Sequence, residues 1–357
     1  MRYDIAIIGA GPAGAALASF LPKQYRILLL DRRDLLDGEN QKGKCCGGLL
    51  APDAQKMLGE MGLAVPKDVM VDPQMFLVRT IDFDNYLESY YQRFYFNMSR
   101  LKFDEWIVSS IPNNVDLALG CRFTSLIESR DGYEIAFLHN NKIFTQTVKL
   151  VIGADGAWSK VRQQVYGDND PLKKYIAIQE WFETDKPIPY YGAVFDSEIT
   201  DFYSWTIPKD GKLIIGSALS PDKDANKKFE ILKSKLKEYG LVFGNCIHRE
   251  GAYLIRPRRK DIITGDDHAA LVGEAGGFIS PSSAEGISFA LKSAHALAMS
   301  LNDGIEDFQK RYRKNIKPIL NSITFKQMKS PGMYNKTIRG MVIKSRILSS
   351  NRLFNQD

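Results

Sequence analysis

Gly9, Gly11 and Gly14 stand directly after the apolar run Ile5–Ile8 and directly before a helical pattern that opens with Pro12 and Ala13. A short continuous apolar run suits a parallel strand buried on both faces. In the turn that follows, each glycine meets a separate demand. Gly9 allows the tight turn, Gly11 lets backbone approach a pyrophosphate, and Gly14 lets helix and strand pack closely. The helix start offers unpaired N–H groups and a partial positive charge to phosphate. A second strand over residues 26–30 ends in Asp31, followed by Arg32. An acid about 20 positions after such glycines is the expected acceptor for ribose hydroxyls, and it would repel the 2′-phosphate of NADP.

Far along the chain, "HAALVGEAGGFISPSSAEGISFALKSA" (268–294) repeats the order of strand, glycine turn and helix, and "VIGADGAWS" (151–159) lies between the two. Together these segments predict FAD held lengthwise across a domain assembled from distant stretches. The expected fold class is α/β with α+β insertions: a Rossmann-like FAD-binding domain, a mixed-sheet substrate domain and a helical C-terminus. The expected boundaries are 1–72, 99–172 and 256–305 for the FAD domain, 73–98 and 173–255 for the substrate domain, and 306–357 for a basic helical region. Residues 73–98 and 173–220 are rich in aromatic and β-branched residues, as strands are. Helices are expected after Pro52, from near Ser99, and over 224–239, with a strand over 247–255. Residues 115–148 read as a meander of short strands, and Pro331-Gly332 as a break within the tail.

The net charge of +6 hides an asymmetry. Residues 308–357 hold twelve Lys or Arg and one acid, so the remainder is net negative. Such a tail suits an anionic surface, either phospholipid headgroups or a pyrophosphate substrate, or else forms a solvated helical face. No nucleic-acid-binding module accompanies it, so no nucleic-acid partner is expected. No apolar run reaches the roughly 18 residues of a membrane span. A cytoplasmic protein is therefore expected, with peripheral membrane contact through the tail as the alternative to a solvated tail. The four cysteines form no CxxC pair and the four histidines are scattered. That pattern argues against a metal site and against a flavin disulfide reductase.

These motifs resemble the FAD-dependent group of p-hydroxybenzoate hydroxylase, the flavin-dependent halogenases and the geranylgeranyl reductases. The chain is most similar to the geranylgeranyl reductases, over nearly its whole length, through "CGGLLAPDAQ", "YSWTIPKDG" and "GFISPSSAEGIS". The resemblance implies FAD-side positions for Asp155 and Gly156 of the "DG" motif. It implies the same for Gly273 and Glu274, where "GEA" replaces the usual "GDA"; either carboxylate accepts a ribityl hydroxyl. Arg100 matches an arginine that reaches FAD from a helix start. Pro281, Gly286 and Ile287 belong to the segment whose backbone faces the flavin pyrimidine edge, where a helix start stabilises the charge of reduced flavin. Lys44, Cys46, Gly47 and Gly48 resemble the reductases' cysteine-glycine loop beside the isoalloxazine.

Tyr203, Trp205 and Pro208 match the reductases' YxWxFP pattern with Ile207 in place of Phe, and the string also approaches the halogenases' WxWxIP. The cysteine-glycine loop favours the reductases. The resemblance thus implies reduction of carbon–carbon double bonds in an isoprenoid or similar lipid, with Cys46, Tyr203 and Trp205 as candidate catalytic residues. Cys46, Tyr203 or water would supply the proton. Tyr203 and Trp205, on alternate strand positions, would wall an apolar tunnel. The same aromatics also suit plain core packing, and Cys46 a small buried apolar position. One nucleotide fingerprint implies a transient reductant, NAD(P)H or a protein electron carrier. A flavin-dependent monooxygenase or halogenase, and a non-catalytic prenyl-lipid-binding flavoprotein, are the alternatives.

Overall fold

The computed structural model describes residues 3–37, 43–130, 132–167 and 171–346; residues 38–42 of the expected polar loop and 347–357 of the expected tail lie outside them. The chain opens with β1 (Tyr3–Ile8), α1 (Pro12–Phe20) and β2 (Ile27–Leu30), then a two-residue β3 (Leu49–Leu50) and α2 (Pro52–Glu60). A hairpin of β4 (Met75–Asp82) and β5 (Leu87–Asn97) leads into α3 (Arg100–Ser109). Next come β6 (Val115–Ala118), β7 (Arg122–Ser129), β8 (Gly132–His139), β9 (Lys142–Gly153) and α4 (Lys160–Tyr166). β10 (Lys174–Glu183), β11 (Tyr191–Phe195), β12 (Ser204–Lys209), β13 (Lys212–Leu219), α5 (Ala225–Glu238) and β14 (Cys246–Ile255) follow. The chain returns through β15 (Ala269–Leu271) and α6 (Ile287–Leu301) to α7 (Phe308–Asn315), α8 (Lys317–Tyr334) and α9 (Lys336–Ser345).

One sheet has the order β6-β2-β1-β9-β8-β7, with β15 also on β9. Its β6, β2, β1, β9 and β15 run parallel. The meander expected over 115–148 therefore starts only at β7, because β6 joins β2 in parallel and buries Val115 in the helix-covered core. Helix α1 has Ala or Gly at five of its nine positions, and all but its last two residues are buried. Small side chains let it fit between the sheet and α6. On the sheet's other face, Phe123, Tyr133, Ile135 and Phe137 of the meander cover Ala6, Leu28 and Val151.

The second sheet has the order β14-β10-β13-β12-β11-β4-β5-β3. Its strands alternate as half-covered strands should. Leu213 and Ile215 face Phe229, Leu232 and Leu236 of α5, whereas Ile214 joins Phe195, Phe202, Tyr203 and Trp205 on the opposite face. Cys45 and Ala284 pack against that aromatic face, so it meets the first sheet's loops.

Phe308, Tyr312, Ile316, Ile319 and Ile323 carry α7 and α8 into the first core. The break expected at Pro331-Gly332 is absent: α8 runs through Pro331 to Tyr334, and the turn falls at Asn335. The donor that proline lacks belongs to the helix's last turn, and Met333 and Tyr334 beyond it pack on the aromatic face. Asn335 then caps α9, its Oδ1 accepting N–H from Thr337 and Ile338, each at 3.1 Å.

Candidate active site

The parallel strands end side by side: Leu30 pairs with Ile8, Ile8 with Gly153, and Gly153 with Leu271. Segments far apart in sequence thus emerge together at the carboxyl edge of one sheet, the usual crevice for a nucleotide. Two of the first glycines are required by the fold itself. A methyl group on Gly14 would overlap the Gly9 carbonyl oxygen, and one on Gly9 would overlap that of Ala154. Gly11 differs, since no protein atom lies within 4 Å of where its Cβ would stand. Pro12 and Ala13 start α1 beside this space with no side-chain cap. Gly273 rests on Ala13 and donates its N–H to Ser293 Oγ at 2.9 Å. Gly286 and Ile287 start α6, also without a side-chain cap.

Asp31 braces this turn from within. Its Oδ2 accepts the Ala10 N–H at 2.8 Å and its Oδ1 the Arg33 N–H at 2.8 Å. Arg32 is exposed, and Arg33 is the arginine turned inward. Arg33 Nη1 reaches Asp104 Oδ2 at 2.8 Å, and Arg100 Nε reaches Asp104 Oδ1 at 2.7 Å. Burial works against the Asp104 charge, but Arg100 and Arg33 outweigh it and hold the carboxyl below its ordinary range. Burial likewise opposes the Arg100 charge, and Asp104 with the Cys46 sulfur holds that guanidinium above its ordinary value.

The two later motifs are tied together and to the cysteine-glycine loop. Lys44 Nζ bonds Glu274 Oε2 at 2.9 Å, and a methyl on Gly156 would lie 3.9 Å from that same Nζ. The buried Arg162 donates to the carbonyls of Ala157 and Ala275, each at 2.7 Å. Asp155 Oδ2 accepts the Lys160 N–H at 2.7 Å at the start of α4. Its Oδ1 is buried without a hydrogen-bond partner among the described residues, and burial pushes its carboxyl up. A buried unpaired acceptor, an open cradle at Gly11 and two uncapped helix starts fit a dinucleotide with hydroxyl and phosphate groups.

Cys46 stands where this edge meets the aromatic face. Its Sγ accepts the Gly48 N–H at 3.4 Å, and its carbonyl accepts Gln179 Nε2 at 3.4 Å. Gln179 also takes Trp205 Nε1 on its Oε1 at 3.1 Å and donates to Glu250 Oε1 at 2.6 Å. Gly47 faces Ile207, and Gly216 gives Trp205 room to lie on the sheet. Tyr203 Oη donates to the Ser283 carbonyl at 2.7 Å, and burial pushes its phenol well up. That carbonyl lies in the turn after Pro281, whose own carbonyl accepts Arg256 Nε at 3.1 Å. In this turn Ala284 adopts the left-handed conformation, with φ of 50°.

Lys209 was not marked by sequence, yet it pins the loop. It is 3% exposed and bonds Asn97 Oδ1 at 2.6 Å, the Met98 carbonyl at 2.5 Å and the Gly48 carbonyl at 3.3 Å. No carboxylate is among these partners, and burial pushes its ammonium down to about 8. Arg33, Arg162 and Gln179 were missed in the same way. Arg162 carried a usable signal, since it follows the N-cap Ser159 by three residues.

No family model matches the chain. Protein CbrA of Escherichia coli O6:H1 is 39% identical over 345 residues, covering 96% of this chain and 93% of that protein. Protein CbrA of Shigella sonnei is likewise 39% identical, covering 96% and 97%. Among solved structures, a geranylgeranyl bacteriochlorophyll reductase-like protein from Thermoplasma acidophilum superposes with a TM-score of 0.80 at 19% identity, covering 99% of this chain and 94% of that one. PqsL, a probable FAD-dependent monooxygenase from Pseudomonas aeruginosa, gives 0.68 at 17% identity, covering 97% and 100%. CmlS, a flavin-dependent halogenase, gives 0.68 at 15%, covering 99% of this chain and 68% of that one. The shared fold is the flavoprotein fold of the p-hydroxybenzoate hydroxylase and glutathione reductase type.

Proposed function

The chain belongs to the CbrA family, and from that premise we propose that it is an FAD-dependent oxidoreductase that reduces carbon–carbon double bonds of an isoprenoid or similar lipid. One observation carries the reading. The cysteine-glycine loop is bonded on one side to the cofactor motifs, through Lys44 and Glu274, and on the other to the aromatic sheet, through Gln179 and Trp205. The loop thus joins a nucleotide crevice to a wall of aromatic side chains, with the Cys46 sulfur beside the Gly48 N–H and Arg100.

Reduced FAD would supply a hydride from its N5. Gly11 and the starts of α1 and α6 would hold its phosphates and pyrimidine edge, and Asp155 Oδ1 and Glu274 its hydroxyls. Trp205 and Tyr203, both 8% exposed, would exclude water and align an apolar chain. The proton for the second carbon would come from Cys46 Sγ or water. Tyr203 is the poorer donor of the two protein groups, because its raised phenol already donates to Ser283. Transient reduction by NAD(P)H or a protein electron carrier completes the cycle.

The test is anaerobic. Chemically reduced protein is mixed with geranylgeranyl lipids, following flavin absorbance and product mass. Reoxidation with a gain of two hydrogens per bond supports the reading. Ile207, which gives the halogenase-like WxWxIP variant, favours the second reading, a monooxygenase or halogenase. Reoxidation only after oxygen is admitted, with oxygenated or halogenated product, would replace the first reading with that one.

A further inference from the structure

The helix pair α8–α9 has two unlike faces. Inward, Met333 and Tyr334 pack on the aromatic face, and Tyr334 Oη donates to the Ser282 carbonyl at 2.5 Å, one residue from the carbonyl that Tyr203 bonds. Arg339 pins the pair to the second sheet through Asp82 at 2.8 Å and Asp84 at 2.6 Å. Outward, large apolar side chains are bare: Phe325 is 58% exposed, Met328 75%, Ile338 42% and Met341 65%. Phe325 with Met328, and Ile338 with Met341, are three apart and so share a helix face. On α8 that face lies opposite the buried Ile319 and Ile323.

The charges carried by the helical segment itself are all of one sign. Residues 308–346 contain eleven Lys or Arg and no acid, while the remainder of the chain is net negative. Lys317, Lys329, Lys336 and Lys344 are exposed along the pair, and Lys329 Nζ lies 4.2 Å from the Phe325 ring centroid. No helix among the described residues is long and apolar enough to cross a membrane. Apolar side chains ringed by lysines on a surface helix match the interface of an anionic bilayer, where the apolar groups enter the acyl boundary and the ammonium groups meet phosphate.

We propose that the outer face of α8–α9 docks on anionic phospholipid bilayers, and that the same helices form the wall through which a lipid passes from bilayer to aromatic face. The docking half stands by itself; the passage half rests on the function proposed above. The pair is one helix thick, on the order of 10 Å, so an isoprenoid has a short path between its two faces.

Purified protein is centrifuged with vesicles of phosphatidylcholine alone, and of phosphatidylcholine with an equal part of phosphatidylglycerol. Binding is expected only to the mixed vesicles, and release at about 0.5 M salt. Phe325→Ser/Met328→Ser and Lys329→Glu/Lys344→Glu should each weaken it about tenfold or more, with circular dichroism and Tm unchanged. Failure of the wild type to bind mixed vesicles, or equal binding by both variants, would overturn the docking. A wild-type dimer in light scattering, lost in the Phe325→Ser/Met328→Ser variant, would assign the face to a second copy instead. No lipid turnover is read in these assays, so they stand apart from the test of function. Passage is read separately, as faster reduction of a vesicle-borne isoprenoid than of the same lipid in detergent, an advantage lost in the variants. Equal rates for wild type and variants on vesicles would refute it.

Discussion

Lys44 Nζ and Glu274 Oε2 lie 2.9 Å apart across 230 residues of sequence. The pair is part-exposed, so its worth to the fold is small, within about 1 kcal/mol. Its worth to the cofactor is larger if both groups face the flavin. Lys44→Met should therefore leave Tm nearly unchanged and weaken FAD binding to the apoprotein about tenfold, as read by flavin fluorescence quenching. Unchanged FAD affinity would remove Lys44 from the cofactor's contacts.

Gly11 and Gly14 should separate cofactor binding from folding. Gly14→Ala forces a methyl into the Gly9 carbonyl, and a helix shift to relieve it should cost roughly 3 kcal/mol. Gly11→Ala meets no protein atom and keeps an ordinary φ of −69°. It should fold with wild-type Tm and bind FAD more weakly. Tm and FAD titration of the two variants check this, and tight FAD binding by Gly11→Ala would place the pyrophosphate elsewhere.

Lys209 gives stability a pH dependence of defined sign. Its ammonium is depressed to about 8 by burial, against about 10.4 in the unfolded chain. Below pH 8 the folded protein bears the whole cost of the buried charge. Between the two values the unfolded chain binds more protons, so stability rises with pH, by up to about 3 kcal/mol. The thiols of Cys45 and Cys121, pushed up by burial, oppose this rise from about pH 8.5, and the raised tyrosines, Tyr203 among them, join them above about pH 10. The Lys209→Met profile should therefore lack the Lys209 contribution, lying progressively lower relative to wild type as pH goes from 8 to 10, while Lys326, also depressed by burial, contributes alike to both. Urea unfolding at several pH values measures it; parallel profiles for wild type and variant would contradict it.

Arg339 holds the C-terminal helices to the second sheet. Its removal leaves Asp82, wholly buried, without its cation, which should cost about 3–5 kcal/mol. Arg339→Ala should expose α8 and α9 to trypsin well before the rest of the chain. Arg339→Lys should recover part of the protection, since an ammonium can meet Asp82 and Asp84 as Nη2 does but loses the bond that Nη1 makes to the Met333 carbonyl. Wild-type digestion by Arg339→Ala would deny the clamp.

What was legible in the sequence is what local pattern dictates. The glycine turn, the strand ending in Asp31, and the helix capped at Ser99 with Arg100 next all rest on neighbours within one turn or strand. Which arginine turns inward is not written locally, because Arg32 and Arg33 are alike until Asp104, 71 residues from Arg33, selects between them. Lys209 and Gln179 looked like ordinary strand residues. Their partners at Asn97 and Cys46 are 112 and 133 residues away. Pro331 misled for a related reason: tertiary packing of Met333 and Tyr334 outweighs a local break signal.

The carboxyl edge formed by Leu30, Ile8, Gly153 and Leu271 has a consequence for the newborn chain. At about 5–20 residues per second, roughly 10 s separate the appearance of Gly153 from that of Leu271. Throughout that interval β9 lacks the neighbour that carries Glu274 to the crevice. On the proposed function, cofactor capture on the ribosome is a late event, and a chain cut short before β15 has the nucleotide fingerprint without Glu274.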